Sequence, residues 1–176
     1  MSGTSFDGVD VAMIKTDGED YIKFIDSAFI PYTKKEKFSF QSSLINNYLH
    51  IINFINKKHL KAIKLLLKKT KIKSNEVDLI GLHGQTIFHK PQEKWSWQYI
   101  DAEKFLKTFK TKIVSDFRLN DINRGGEGAP LVPIYHVNIA KKISKKFPVA
   151  ILNIGGVSNV TIIKSHKSFI GFDVGP

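Results

Sequence analysis

The sequence predicts an α/β fold built on a mixed sheet with flanking helices, and three observations carry that prediction. Two apolar runs near the N-terminus flank Asp17-Gly18, a dipeptide suited to a tight hairpin turn. Residues 34–69 place apolar side chains at helical spacing. Beyond residue 78, short apolar runs alternate with helical patterns, the order expected of βα units. The length of 176 residues suits one domain with a hydrophobic core, and 42% hydrophobic residues with 13 Phe fit a folded chain, not a disordered one.

The elements follow in chain order. Residues 9–15 (VDVAMIK) read as a first strand and 21–30 (YIKFIDSAFI) as its antiparallel partner. Leu44, Tyr48 and Ile51/Ile52 recur at helical spacing, as do Leu60, Ile63 and Leu66/Leu67, and the polar stretch 56–59 predicts a break into two helices. Residues 78–83 (DLIGLH) read as a buried strand running into Gly84-Gln85-Thr86. A short helix at 102–109 and a strand at 112–117 follow. Residues 133–146 form an amphipathic helix that begins at Pro133, a residue favoured at the first helical position. Strands at 149–154, 160–164 and 169–173 complete the set.

The net charge of +11 raises nucleic acid as a partner, and the kind of charge argues against it. Of the 27 basic residues only Arg118 and Arg124 are arginine, whereas sites that read bases or clamp phosphates in pairs favour the planar arginine fork. The lysine-rich stretches 57–73 and 141–146 therefore read as solvated helix faces. With no Cys, the sequence excludes disulfides, thiolate metal sites and a cysteine nucleophile. No basic start leads into an apolar run, and no apolar run is long enough to cross a bilayer. A cytoplasmic protein with no membrane partner is expected.

Four polar, glycine-rich segments stand at strand ends, where open α/β sheets bind ligands. In the first, Gly3-Thr4-Ser5-Phe6-Asp7-Gly8-Val9-Asp10, glycines let backbone N–H groups approach a phosphate and the hydroxyls of Thr4 and Ser5 can donate to it. Asp7 or Asp10 could orient Mg²⁺ through water; an ordinary β-turn explains the same residues equally well. The second, His83-Gly84-Gln85-Thr86 with His89 beyond, offers the donors and acceptors that suit a sugar, and Gln98 and Asp101 could add contacts; the competing reading of His83 is a satisfied core histidine. No zinc site is expected there, because the carboxylate frame is missing. The third spans Ser115-Asp116-Phe117-Arg118 to Gly125-Gly126-Glu127-Gly128-Ala129-Pro130. In a lysine-biased chain Arg118 points to bidentate binding of a carboxylate or phosphate, or to a structural pair with Asp116 or Asp121. The fourth joins Asn153-Ile154-Gly155-Gly156 to Gly171-Phe172-Asp173-Val174-Gly175-Pro176, with Asp173 placed as a general base or as a turn residue.

Together and in this order, MSGTSFDGVD, GLHGQTIFHKP, SDFRLNDINRGGEGAPLVP, LNIGGVSN and GFDVGP resemble the 1,6-anhydro-N-acetylmuramic acid kinases of bacterial cell-wall recycling. That resemblance implies a ribonuclease-H-like lobe of the two-lobe sugar kinase, Hsp70 and actin superfamily, with ATP in the cleft between lobes. It implies phosphorylation of the anhydro sugar with hydrolytic ring opening, using ATP and Mg²⁺. It further implies that Gly3, Thr4, Ser5, Asp7, Gly8 and Asp10 face the phosphates, that Asp173 is the base, and that Gln85, Thr86, Arg118, Gly155 and Gly156 line the sugar pocket.

Three departures accompany the resemblance. The strand usual before MSGTS is expected to be missing or reduced to a stub, Val174 and Glu127 stand where Thr and Gln are usual, and residues 1–176 are expected to be the N-terminal lobe alone. The chain alone is accordingly expected to be inactive as a kinase. A non-catalytic amino-sugar-binding lobe is the alternative, and a homodimer partner or a separately encoded second lobe stays open.

Overall fold

A computed structural model of the chain describes residues 1–3, 5–43, 48–143 and 146–175. Strands β1 (Gly8–Thr16) and β2 (Ile22–Pro31) form the expected hairpin. Its turn is set by Asp17, whose Oδ1 accepts the backbone N–H of Glu19 at 2.9 Å and of Tyr21 at 3.0 Å, while Gly18 takes φ +85°. Helix α1 (Lys34–Ser43) follows, then α2 (Tyr48–Thr70).

The expected break at 56–59 is not there, because α2 runs unbroken through it. Asn56 and His59 lie on the buried stripe with Ile55, Ala62, Ile63 and Leu66, each with a hydrogen-bond partner, although His59 Nε2 has none. Asn56 Oδ1 accepts the Asp101 N–H at 3.2 Å, and His59 Nδ1 lies 2.9 Å from the Ile55 carbonyl one turn back. Leu44, part of the helical pattern, lies outside the described residues.

The middle of the chain departs most from expectation. Strand β3 (Leu79–Gly81) is short and largely exposed, not buried, since it pairs only with β6 (Lys112–Val114). Residues to which the sequence assigns no element form a hairpin of β4 (Gln85–Lys90) and β5 (Trp95–Tyr99). Helix α3 (Ala102–Phe109) is capped by Asp101, whose Oδ1 accepts the Lys104 N–H at 3.0 Å. Helix α4 (Phe117–Asn123) begins where the 112–117 strand was expected to end. Helix α5 (Pro133–Ile143) and the antiparallel sheet β7 (Val149–Asn153), β8 (Ser158–Ser165) and β9 (Ser168–Gly175) match the expected order.

The fold is thus α/β, but its strands form four small sheets in place of one continuous mixed sheet. Among the strand pairs of the described residues only β3–β6 is parallel. Before the first loop, Met1 exchanges two backbone hydrogen bonds with Asp10, and Ser2 bridges Gln85.

Helix α2 is the spine of the core. Ala62 packs with Val9, Ile30 and Tyr32, Ile63 with Leu82, Phe105 and Phe109, and Ile51 and Ile55 with Phe40. Phe105 is fully buried, which stabilises the fold by about 1.5–3 kcal/mol relative to exposure. Val137, Ala140 and Ile163 form a separate cluster under α5. No helix among the described residues is long and apolar enough to cross a membrane.

Candidate functional site

The N-terminal loop is held from below. Gln85, fully buried, accepts the Ser2 hydroxyl at 2.5 Å on Oε1 and donates from Nε2 to the Gly3 carbonyl at 2.7 Å. Ser2 N–H donates to Gly84 O at 2.9 Å, and Thr86 N–H to Ser2 O at 3.3 Å. Gln85 was expected to touch the sugar; with its amide engaged inside the fold, it braces the loop instead. At the loop's far end Tyr32 N–H donates to Asp7 O at 2.9 Å, and the Phe6 ring, carried by a backbone at φ +50°, packs 4.4 Å from Phe40. Gly8 crosses β2 so closely that a Cβ there would collide with the Ile30 carbonyl.

What remains on the surface of this loop is small and polar. Ser5 is exposed, and a Cβ on Gly3 would meet nothing within 4 Å. Asp7 is exposed but ion-paired to Lys37 at 2.9 Å, which holds its carboxyl below the usual range; Asp10 is exposed. Thr4 lies outside the described residues. The Gly155-Gly156 turn comes to this loop from the other end of the chain: a Cβ on Gly156 would sit 3.0 Å from Ser5 Cβ. The first and fourth sequence segments therefore meet.

The second and third segments meet at Arg118. Its Nε donates to His83 Nε2 at 2.9 Å and its Nη1 to the Gly128 carbonyl at 2.7 Å. Neither Asp116 nor Asp121 pairs with it: Asp121 Oδ2 accepts the Gly128 N–H at 2.7 Å, while Asp116 lies 3.5 Å from the Ser115 hydroxyl. Gly128, at φ +66°, lies so close to Ile122 and the Arg118 carbonyl that a side chain there is excluded. His83 is buried, and its Nδ1 lies 3.0 Å from Gly84 O. Burial, with the Arg118 charge adding to it, pushes this imidazole down to about 4, so it is neutral at pH 7 and free to accept from Arg118.

Asp173 sits on β9 opposite Asn159 of β8, which in turn faces Asn153 of β7, a polar row across the sheet. Two residues away, Gly171 packs against Pro133 at the start of α5. The Asp173 charge acts on both Arg118 and His89, and Glu127 acts on His89. Burial lowers His89, the Arg118 charge lowers it further, and the two carboxylates oppose them. Thr86 is 2% exposed and its hydroxyl has no hydrogen-bond partner, whereas Gln98 is tied to the Ser96 hydroxyl at 2.7 Å inside the hairpin.

A family model for Anhydro-N-acetylmuramic acid kinase matches residues 1–176. The chain belongs to that family. Curated anhydro-N-acetylmuramic acid kinases agree over its full length: 37% identity with that of Rhodopseudomonas palustris, 38% with that of Zymomonas mobilis and 38% with that of Paramagnetospirillum magneticum. The chain spans about half the length of these relatives, 51%, 52% and 50% respectively.

For this member of the anhydro-N-acetylmuramic acid kinase family, the loop residues fit a nucleotide's phosphates in part. Ser5, the open face of Gly3 and the adjacent Gly155-Gly156 turn offer small, accessible groups. Among the described residues no three His, Cys, Asp or Glu side chains cluster to hold a metal. Mg²⁺ binds through phosphates with one or two carboxylates, and exposed Asp10 is the group of this loop that fits that role. Sequence reasoning missed the partners, His83 and Gly128, that hold Arg118. The glycine in Glu127-Gly128-Ala129 was the available signal for Gly128; nothing in local pattern signalled a pairing across 35 residues.

Proposed function

We propose that the chain is the N-terminal, ribonuclease-H-like lobe of an anhydro-sugar kinase, and that it binds the amino sugar without turning it over alone. The observation that carries this reading is Arg118, held by His83 and Gly128 within electrostatic reach of Asp173, in a chain that matches the family from end to end.

In the whole enzyme the substrate is 1,6-anhydro-N-acetylmuramic acid and the phosphoryl donor ATP. Arg118 binds the lactyl carboxylate, and Thr86 and the Gly155-Gly156 turn contact the sugar. Asp173 takes a proton from the water that attacks the anomeric carbon. The bond from that carbon to the 6-oxygen breaks, and the 6-oxygen takes the γ-phosphoryl group, giving N-acetylmuramic acid 6-phosphate and ADP. Gly3 and Ser5 lie along the phosphates, with Gln85 bracing the loop from beneath. Mg²⁺, when bound, supplies charge neutralisation on the transferred group, and Asp10 would reach it through water.

Transfer requires both substrates in line with water excluded, and one lobe leaves this cleft open. Leu152, Phe172 and Val174 are exposed on the β7–β8–β9 sheet, with Ile154 exposed just beyond β7, which supports a second reading, in which this face packs against a second lobe.

Calorimetric titration of the chain with anhydro-N-acetylmuramic acid, beside a coupled ADP-release assay, tests the proposal. Sugar binding that is lost in Asp173→Asn/Arg118→Ala, with no ADP release, is expected. No binding would refute the binding reading, and ordinary turnover would refute the inactivity.

A further inference from the structure

We infer that His83 is a positioning residue for substrate recognition: by accepting the Nε–H of Arg118, it aims the guanidinium at an anionic group of the bound sugar without neutralising it. The inference deepens the proposed function and rests on its assignment of Arg118 to the carboxylate.

An arginine has five N–H donors on a long, mobile stem, and holding it for one ligand costs rotamer entropy unless its plane is already fixed. Here two acceptors on separate elements fix it, His83 between β3 and β4 and the Gly128 carbonyl beyond α4. The Gly128 arm is itself tied down by Asp121 Oδ2. With Nε and one Nη1 proton engaged, the Nη2 end is the part of the fork with no hydrogen-bond partner among the described residues.

The chemistry of the His83 position is selective. A carboxylate there would hold the guanidinium equally well but cancel its charge, and Asp116 and Asp121, both nearby in sequence, are directed elsewhere. A neutral imidazole holds the plane and leaves the positive charge for a ligand. Its tautomer is set by the fold: Nδ1–H donates to Gly84 O, so Nε2 carries the lone pair that Arg118 needs. Asp173 acts on Arg118 through its charge, while the two hydrogen bonds that orient the guanidinium come from His83 and Gly128.

The test uses the full chain and three proteins: the natural sequence, His83→Leu, and His83→Gln, whose amide oxygen reaches the region of Nε2. Because the chain has only two arginines, Arg118 and Arg124, its arginine Nε–H region contains two resolvable ¹⁵N signals. The Arg118 signal should be protected from solvent exchange in the natural protein, lose that protection in His83→Leu and regain it in His83→Gln. Affinity is then measured for anhydro-N-acetylmuramic acid and for its methyl ester, which differ only in the anionic group. His83→Leu should weaken binding of the acid by about tenfold, the size of one charge-assisted hydrogen bond, and leave the ester unchanged. His83→Gln should restore the preference.

Equal losses for acid and ester in His83→Leu would make the role merely structural and overturn the inference. A protected Arg118 signal and an intact acid preference in His83→Leu would overturn it as well. A natural protein that binds acid and ester equally sinks the carboxylate assignment of Arg118, and the substrate role of His83 with it. The exchange data then still decide whether His83 holds the side chain.

Discussion

Lowering the pH from 7 to 4.5 should destabilise this fold through two buried histidines, before its carboxylates matter. His59 is 2% exposed on α2 and His83 is 7% exposed beside it in space, and burial pushes each imidazole down to about 4. The unfolded chain protonates its histidines near 6.5, so the folded state resists a proton that the unfolded state accepts. The stability from each group is therefore fully present above pH 6.5 and is lost as the pH falls toward 4. At pH 4.5 the difference corresponds to roughly 2–3 kcal/mol per histidine. The two act on each other as like charges, so a second proton is no cheaper than the first. Together the loss takes a large share of the 5–15 kcal/mol typical of a domain.

Urea unfolding followed by fluorescence of Trp95 and Trp97 at pH 7, 6, 5 and 4.5 measures this directly. The urea midpoint should begin to fall just below pH 6.5, and His59→Leu should remove about half of the drop. Asp7, Asp17, Asp26 and Glu36, all held below their usual values by lysine or backbone partners, contribute stability that is lost only as the pH falls further, through and below 4. A midpoint that stays flat to pH 4.5 and falls only below it would refute the histidine argument and leave the carboxylates as the acid-labile groups.

Three further outcomes are expected. Gly84→Ala forces a side chain at φ +75° into the Tyr99 carbonyl and should cost about 2–3 kcal/mol in thermal or urea unfolding; a change near zero would mean the 83–85 backbone can shift freely. Asp101→Ala removes the α3 cap and should cost about 1 kcal/mol with no change in sugar affinity, and a loss of sugar binding would return Asp101 to the pocket. Gly156→Val should displace Ser5, seen as altered amide signals of the N-terminal loop in ¹⁵N spectra, while the melting temperature holds; unperturbed loop signals would separate the two segments.

The parts of the fold that were legible in the sequence are those where local chemistry and burial agree. Asp17-Gly18 closes its hairpin through its own side chain and backbone, and α3 carries both its cap at Asp101 and its buried Phe105 and Phe109. The β4–β5 hairpin was hidden because its polarity is inverted. Gln85, Thr86, Ser96 and Gln98 are buried, while Phe88 and Trp95 stack on one another in the open, so the alternation reads as a loop. Helix α2 was cut in two for the same reason, since Asn56 and His59 look like loop residues until Asp101 and Ile55 supply partners. At the site, composition alone singled out Arg118, and the glycine segments marked the loops that approach one another. The pairing of Arg118 with His83 depends on how β3, β4 and α4 come together, which no local pattern encodes.

That inverted hairpin also explains why the two sides of the cleft should behave differently. Burying polar groups is unfavourable unless they find partners; Gln85 finds one in the N-terminal loop and Gln98 in Ser96, while the Thr86 hydroxyl has none. Gln85 holds Gly3, His83 holds Arg118, and Asp121 holds Gly128. The proposed sugar side is thus held before any ligand arrives, which would spare binding there much of the ordering entropy. The proposed phosphate side has only its base fixed: Ser5, Gly3 and the Gly155-Gly156 turn face solvent. Preorganisation of one substrate supports affinity, whereas transfer needs both reactants held in line in a closed site. A chain with this distribution of braced and open groups should bind the sugar selectively and leave phosphoryl transfer to an assembly that closes over the loop.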